Sequence, residues 1–204
     1  HSFCVRILRQ EIKSLNYLPS FTIVDIQDQE SLIKQAAAQT GFSGKDDFKA
    51  ASIAAYISSQ KNRLVDYRQA KKTADTTHEA SCAYIYEHYQ TLLETQNMLD
   101  FDDMLLLTHE LFCRFPDTLE KYRERYHYLL VDEYQDTNML QYKLVSLLAG
   151  KHNNICVVGD DDQGIYRFRG ASIENILSFE DQYKNSRVIR LEQNYRSTGN
   201  ILEA

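Results

Sequence analysis

The chain has 204 residues, a formal net charge of -6 and a hydrophobic content of 43%. That is enough apolar material for a sizeable core in one domain, or one domain with an insertion, while the apolar runs are too short for the roughly 18 to 20 residues a membrane span needs. The acidic balance excludes a protein that coats nucleic acid by bulk electrostatics, although a local groove with stacking rings is compatible with it. No basic, apolar and small-residue zones follow one another at the start as in a secretory leader, so a soluble cytoplasmic protein is the expectation. Cys4, Cys82, Cys113 and Cys156 are widely spaced, without a C-x-x-C pair, and read as reduced thiols, with Cys156 expected inside a buried strand.

Residues 1–15 suit a helix, because Phe3, Cys4, Ile7, Leu8 and Ile12 recur at helical spacing. After Pro19, residues 21–26 read as a short strand. Residues 28–97 are mostly helical in pattern, rich in Ala, Gln, Ser and Lys, with a break at Gly41-Phe42-Ser43-Gly44 and a long helix over 77–95. Tyr84, Tyr86 and Tyr89 on that helix read as packing rather than as a nucleic-acid surface. From Asp100 onward, helix and strand alternate as in a parallel sheet: helices over 102–113, 117–124, 138–149 and 172–182, strands over 127–132, 154–159 and 187–191. The strands at 127 and 154 are nearly continuous apolar runs, the pattern of strands covered by helices on both faces. The expectation is an α/β domain with a parallel sheet, formed by residues 1–27 and 98–204, into which residues 28–97 are inserted as a helical unit.

The segment Leu129-Leu130-Val131-Asp132-Glu133-Tyr134-Gln135-Asp136-Thr137-Asn138 ends an apolar strand in two adjacent carboxylates. In open α/β sheets ligands gather outside the carboxyl ends of the strands, where Asp132-Glu133 and Gly159-Asp160 both fall. Mg²⁺ takes oxygen ligands and keeps several waters, so Asp132 can hold it while phosphates supply the rest, leaving Glu133 to orient and deprotonate an attacking water. A bare Asp-Glu pair is more often a solvated acidic loop; the surrounding segment shifts the balance. Gln163, in a loop after the second strand, offers an amide to a terminal phosphate. Tyr166, Phe168 and Arg169 alternate rings and charge, a pattern that stacks on bases without reading sequence, each stack worth about 1 to 3 kcal/mol; the same rings would equally suit a core. Gly44-Lys45 is not a phosphate loop, since Gln39 and Asp46 stand where that motif needs Gly and Ser or Thr.

These segments, with Val157 to Ala171 and Leu191-Glu192-Gln193-Asn194-Tyr195-Arg196-Ser197-Thr198, resemble motifs II, III and IV of superfamily 1 DNA helicases of the PcrA/UvrD/Rep type. His1 to Arg9 is similar to the tail of motif Ia, and Leu99 to Leu105 to the acidic segment before motif II. The resemblance implies a RecA-like P-loop NTPase domain, 1A, interrupted by a helical domain 1B, using ATP and Mg²⁺ to move on single-stranded DNA and to unwind duplex, with 3′ to 5′ polarity, in repair or replication. It assigns Gln163 to coupling nucleotide state to the DNA contacts, Tyr195 to stacking on adenine, Arg196 to the γ-phosphate, and His1 and Ser2 to the DNA path. Gly164 stands where the family more often has serine, and Phe168 where it has tryptophan. No G-x-x-x-x-G-K-[ST] segment occurs, so the chain reads as an internal fragment, inactive by itself. A DNA-binding or partner-docking module, and a two-metal nuclease using Asp132, Glu133 and Asp160 to Asp162, are the alternative readings.

Overall fold

Cys4, Ile7 and Leu8 lie on one buried face of α1 (Ser2–Glu11), and Ile12 and Leu15 continue that face through a 3₁₀ turn that ends at Asn16 in the left-handed region, φ 64°. A computed structural model describes residues 1–40, 49–160, 163, 174–193, 195 and 197–202. The strand expected over 21–26 is only two residues long, β1 (Thr22–Ile23), because α2 (Ile26–Gln39) starts directly after Asp25, which caps it while still extended and accepts from the Asp28 N–H at 2.8 Å. Its parallel partner β2 (Met98–Leu99), in register Thr22↔Met98 and Ile23↔Leu99, has no expected counterpart in the sequence reading; a two-residue strand has no periodicity to detect.

Between β1 and β2 lie α2, α3 (Ala50–Asn62), α4 (Tyr67–Lys72) and α5 (Thr77–Thr95). The helices end where local chemistry ends them: Asp66 caps α4, and Thr76 forms a reciprocal capping box with Glu79 at the start of α5. Ile33, Ile53, Ile57, Cys82, Tyr86 and Tyr89 are the buried centre of a core of their own. Tyr86 and Tyr89 are thus packing residues, while Tyr84 is half exposed with the Lys71 ammonium over its ring.

A second core joins α1 and β2 to α6 (Phe101–Arg114), α7 (Pro116–Arg125) and α8 (Met139–Ala149), through Ile7, Leu8, Leu99, Leu111, Phe112 and Leu144. The parallel pair β3 (Leu129–Val131) and β4 (Ile155–Val157) runs in register Leu129↔Ile155, Leu130↔Cys156 and Val131↔Val157. Parallel strand pairs joined through helices make this an α/β fold. The expected double covering of β3 and β4 is not met among the described residues: Leu130 is 82% exposed, and its partner Cys156 is exposed rather than buried. Residues on the opposite strand positions, Leu129 and Val131, are half-buried, as the alternation of a pleated strand over one packed face requires. All four cysteines are free, Cys4 and Cys82 in the cores.

Two other expectations change. The helix over 172–182 is broken into α9 (Glu174–Leu177) and α10 (Phe179–Gln182), with Ser178 between them. Residues 187–191 form no strand, and no ladder partner stands beside them among the described residues. Among the described residues, no helix is long and apolar enough to cross a membrane.

The two cores meet at a buried charge cluster. Lys61, on the last turn of α3, is wholly enclosed, and its Nζ lies 2.7 Å from Asp100 Oδ2 and 2.7 Å from Asp103 Oδ1. Asp100 and Asp103 also form the capping box that starts α6, and the Tyr89 hydroxyl donates to Asp100 Oδ2 at 2.9 Å. Burial pulls the Lys61 ammonium down, but the two carboxylates outweigh it and hold its pKa well above the ordinary value. Burial and the neighbouring Asp100 carboxylate push Asp103 up to about 7. For Asp100 burial acts upward too, yet Lys61 and the hydrogen bonds to it win and leave it below the usual carboxylate range. Asn62, next in the chain, donates to Asp102 at 2.9 Å and accepts from Asn138 Nδ2 at 2.6 Å, reaching the cap of α8.

Candidate functional site

The β3–β4 register sets the site. Val158 N–H donates to Val131 O at 2.8 Å and Tyr134 N–H to Val158 O at 2.9 Å, which carries the pairing past the strands and brings Asp132-Glu133 beside Gly159-Asp160 at one carboxyl edge. Both acids of the first strand end are exposed. Glu133 sits at φ 50°, ψ 44°, a left-handed conformation that a side chain adopts at a cost of order 1 to 3 kcal/mol. Local bonds hold it there: its N–H donates to Asp132 Oδ1 at 3.0 Å, and its carbonyl accepts from Asp136 N–H at 2.9 Å. The turn thus presents two successive exposed acids at the strand end, with one Asp132 oxygen bonded to the Glu133 N–H.

Below the turn, Tyr134 and Gln135 are buried at 1% and 2% exposure. Tyr134 packs edge-on against Phe179, and Thr137 is held by Asn175, so α9 and α10 brace the loop from behind. Gln135 turns back toward the edge: its Nε2 donates to Glu133 Oε2 at 2.7 Å, and its Oε1 accepts the Asp160 N–H at 3.0 Å. Gly159 makes room for this, because a Cβ there would stand 2.5 Å from Gln135 Oε1 and 2.8 Å from Ile176 Cδ1. Gln163 is exposed, and its Nε2 donates to Asp160 Oδ2 at 2.6 Å.

The structure therefore brings together Asp132, Glu133, Asp160 and Gln163. It does not bring Tyr195 to them: that residue is 91% exposed and shares no hydrogen bond or ring contact with the strand ends among the described residues. Tyr166, Phe168, Arg169 and Arg196 lie outside the described residues. His1 and Ser2 stand exposed at the start of α1, away in sequence from the strand ends, and the His1 ring meets the half-exposed Phe101 edge-on at 5.6 Å. A cavity of about 470 Å³ lies elsewhere, between Tyr17, Tyr67, Tyr86, Gln90 and Arg114, and none of the sequence-predicted site residues lines it.

Sequence reasoning passed over Gln135 and Lys61, and took Gly159 only as part of a strand end. Gln135 stood inside the quoted motif, but its partner is 25 residues away, and only the strand pairing reveals it. The Asp100 to Asp103 spacing before an apolar run is a readable helix-cap signal; the lysine that it receives from another helix is not readable. Among the described residues no group of three or more His, Cys, Asp or Glu side chains could hold a metal. The donor set of Asp132 is one that suits Mg²⁺ shared with phosphate oxygens, since that ion is ordinarily bound by one or two carboxylates plus substrate and water.

Comparison with known proteins agrees with this architecture. Residues 1–184 match the UvrD/REP helicase N-terminal domain. Over all 204 residues the chain is 48% identical to the ATP-dependent DNA helicase PcrA of Staphylococcus epidermidis, and 47% identical to the protein of the same name from Staphylococcus aureus. It spans 28% of the length of each. The chain belongs to the UvrD/REP helicase N-terminal domain family, whose fold is the RecA-like α/β fold.

Proposed function

We propose that this chain is part of an ATP-dependent DNA helicase or translocase, in which hydrolysis at the β3–β4 edge drives movement along single-stranded DNA, 3′ to 5′, and opens duplex. The observation that carries the reading is the convergence of Asp132, Glu133 and Asp160 at the carboxyl ends of two adjacent parallel strands, the place where α/β sheets bind nucleotides. Asp132 would hold Mg²⁺, which neutralises phosphate charge as the terminal phosphoryl group leaves. Glu133, next in the chain, orients the attacking water and takes its proton. Gln163 hydrogen-bonds the terminal phosphate when ATP is present and returns to Asp160 when it is gone. Arg196 supports the developing phosphoryl charge and Tyr195 stacks on the adenine.

The strand is assigned to Tyr166, Phe168 and Arg169, with His1 and Ser2 along its path; the exposed Phe101 ring beside His1 adds a stacking face. The separate core of α2 to α5 supports division of the chain into a RecA-like unit, residues 1–27 and 98–204, and an inserted helical unit, residues 28–97. No membrane enters this picture, and the cytoplasm is the expected compartment.

The test is ATP turnover by the full-length protein with and without single-stranded DNA. Stimulation by DNA of tenfold or more is the expected result. DNA binding with no turnover under either condition would assign a binding module instead, and DNA cleavage in Mg²⁺ without nucleotide would assign a nuclease. The 204 residues alone, which hold no phosphate-binding glycine loop, are expected to show no appreciable turnover.

A further inference from the structure

Gln135 is almost fully enclosed, yet both ends of its amide are engaged with residues of the edge rather than with the core around it. The orientation is set without ambiguity by its neighbours: the NH₂ faces a carboxylate, which only accepts, and the carbonyl faces a backbone N–H, which only donates. A flipped amide would lose both bonds. The chain of contacts runs without a gap from Glu133 Oε2 through Gln135 to the Asp160 N–H at 3.0 Å, and from Asp160 Oδ2 to Gln163 at 2.6 Å. Glu133 and Gln163 are 30 positions apart, and this one buried side chain joins their loops.

We infer that Gln135 is a positioning residue for hydrolysis: it fixes the rotamer of the Glu133 carboxylate toward the attacking water and ties that carboxylate to the loop carrying Gln163. The inference rests on the reading that Glu133 receives the water's proton. Glu133 is exposed, and a carboxylate on three rotatable bonds has many orientations in water. Only one oxygen is pinned by Gln135, so the other stays available to accept a proton. When Gln163 exchanges its Asp160 partner for a phosphate oxygen, the Asp160 backbone that Gln135 holds is the next group to respond. The release therefore reaches Glu133 within the same edge. Gly159 is part of the device, since any side chain at that position drives Gln135 from its place.

Three substitutions in the full-length protein test this, each measured by DNA-stimulated ATP hydrolysis, nucleotide KM and thermal melting. Gln135→Leu keeps the bulk and removes both bonds. Gln135→Glu keeps the acceptor for the Asp160 N–H, removes the donor and sets a second charge against Glu133. Gly159→Ala leaves the amide intact and displaces it. All three are expected to lower kcat by roughly 10- to 100-fold, the scale of a misplaced reacting group, with KM changed less than threefold. Gln135→Leu should add little to the loss already caused by Gln163→Ala, because both break one chain of contacts; losses that multiply would overturn the tie between the loops. If kcat is unchanged in the Gln135 variants while Glu133→Gln is inactive, the positioning role is wrong and the site reading stands. If kcat and KM deteriorate together with the melting temperature, Gln135 is packing alone and the inference fails. Retained hydrolysis in Glu133→Gln would instead remove the site reading on which the inference is built.

Discussion

Replacing Glu133 by Gln in the full-length protein is expected to lower DNA-stimulated ATP hydrolysis by roughly 10²- to 10⁴-fold, the contribution of a positioned general base. The substitution is clean in this setting. A glutamine keeps the length of the side chain, and its carbonyl oxygen can still accept the bond from Gln135 Nε2, so the edge keeps its hydrogen-bonding geometry and loses only a charge that can take a proton. Gln is as able as Glu to occupy the left-handed backbone at φ 50°. Nucleotide affinity should therefore stay within a few-fold, because Asp132 and the phosphate contacts are untouched. Single-turnover hydrolysis measured beside equilibrium binding of a fluorescent ATP analogue separates the two effects. Turnover within tenfold of the parent would sink the assignment of Glu133, whereas loss of binding with loss of turnover would mean that Glu133 holds the metal or the nucleotide.

The second large effect concerns Lys61. Lys61→Met preserves the aliphatic stem and deletes the ammonium, leaving Asp100 and Asp103 facing each other in a fully enclosed site. Breaking a buried ion pair by removing one partner costs about 3 to 5 kcal/mol, since the remaining charge is neither solvated nor paired. Against a usual total stability of about 5 to 15 kcal/mol that is a large fraction. Denaturant unfolding of the chain should show the midpoint falling accordingly; a loss under about 1 kcal/mol would mean that the cluster is exposed to water in solution. The effect should extend to the junction between the cores, because Lys61 sits on α3 and both acids begin α6.

The same cluster carries a pH dependence whose sign follows from Asp103. Its carboxyl is held at about 7 in the folded chain against an ordinary 3.8, so the folded state binds that proton more tightly than the unfolded state does. Stability from this group is fully present below the ordinary value and is lost as pH rises through about 7. One ammonium between two enclosed carboxylates explains the direction: with one acid protonated the cluster is neutral, and with both ionised it carries a net negative charge. Asp103→Asn removes the titration. Unfolding free energies measured across the window from about pH 4 to pH 7 should then vary less than those of the parent, and at neutral pH the variant should lose far less than Lys61→Met. A slope identical to the parent's would assign the proton to another group.

The residues that the structure brings to the β3–β4 edge were legible from short stretches of the chain. An apolar run ending in Asp132-Glu133, a second run ending in Gly159-Asp160 and the nearby Gln163 are local patterns, and local patterns survive without coordinates; Tyr195, also singled out by a local pattern, is not brought to that edge. The helices are legible for the same reason: α1, α5, α6 and α8 bear their apolar residues at helical spacing, and three of the caps, at Thr76, Asp100 and Asn138, are three residues ahead of their reciprocal partners. What the chain by itself determined is therefore the α/β class of the fold and most of its longer helices, while the two-residue strand β2 and the absence of a strand over 187–191 were not to be read from it. Only the tertiary structure decided which groups meet. Nothing in the sequence singles out Lys61 until α3 packs on α6 and encloses it. Leu130 and Cys156 read as core until the β3–β4 register shows them as partners that are both exposed. Gln135 acquires its contacts because the β3–β4 pairing brings Gly159, which leaves room for its amide, and the Asp160 N–H beside it. In each case the deciding partner is distant in sequence, and burial, charge pairing and hydrogen-bond geometry exist only once the chain has closed that distance.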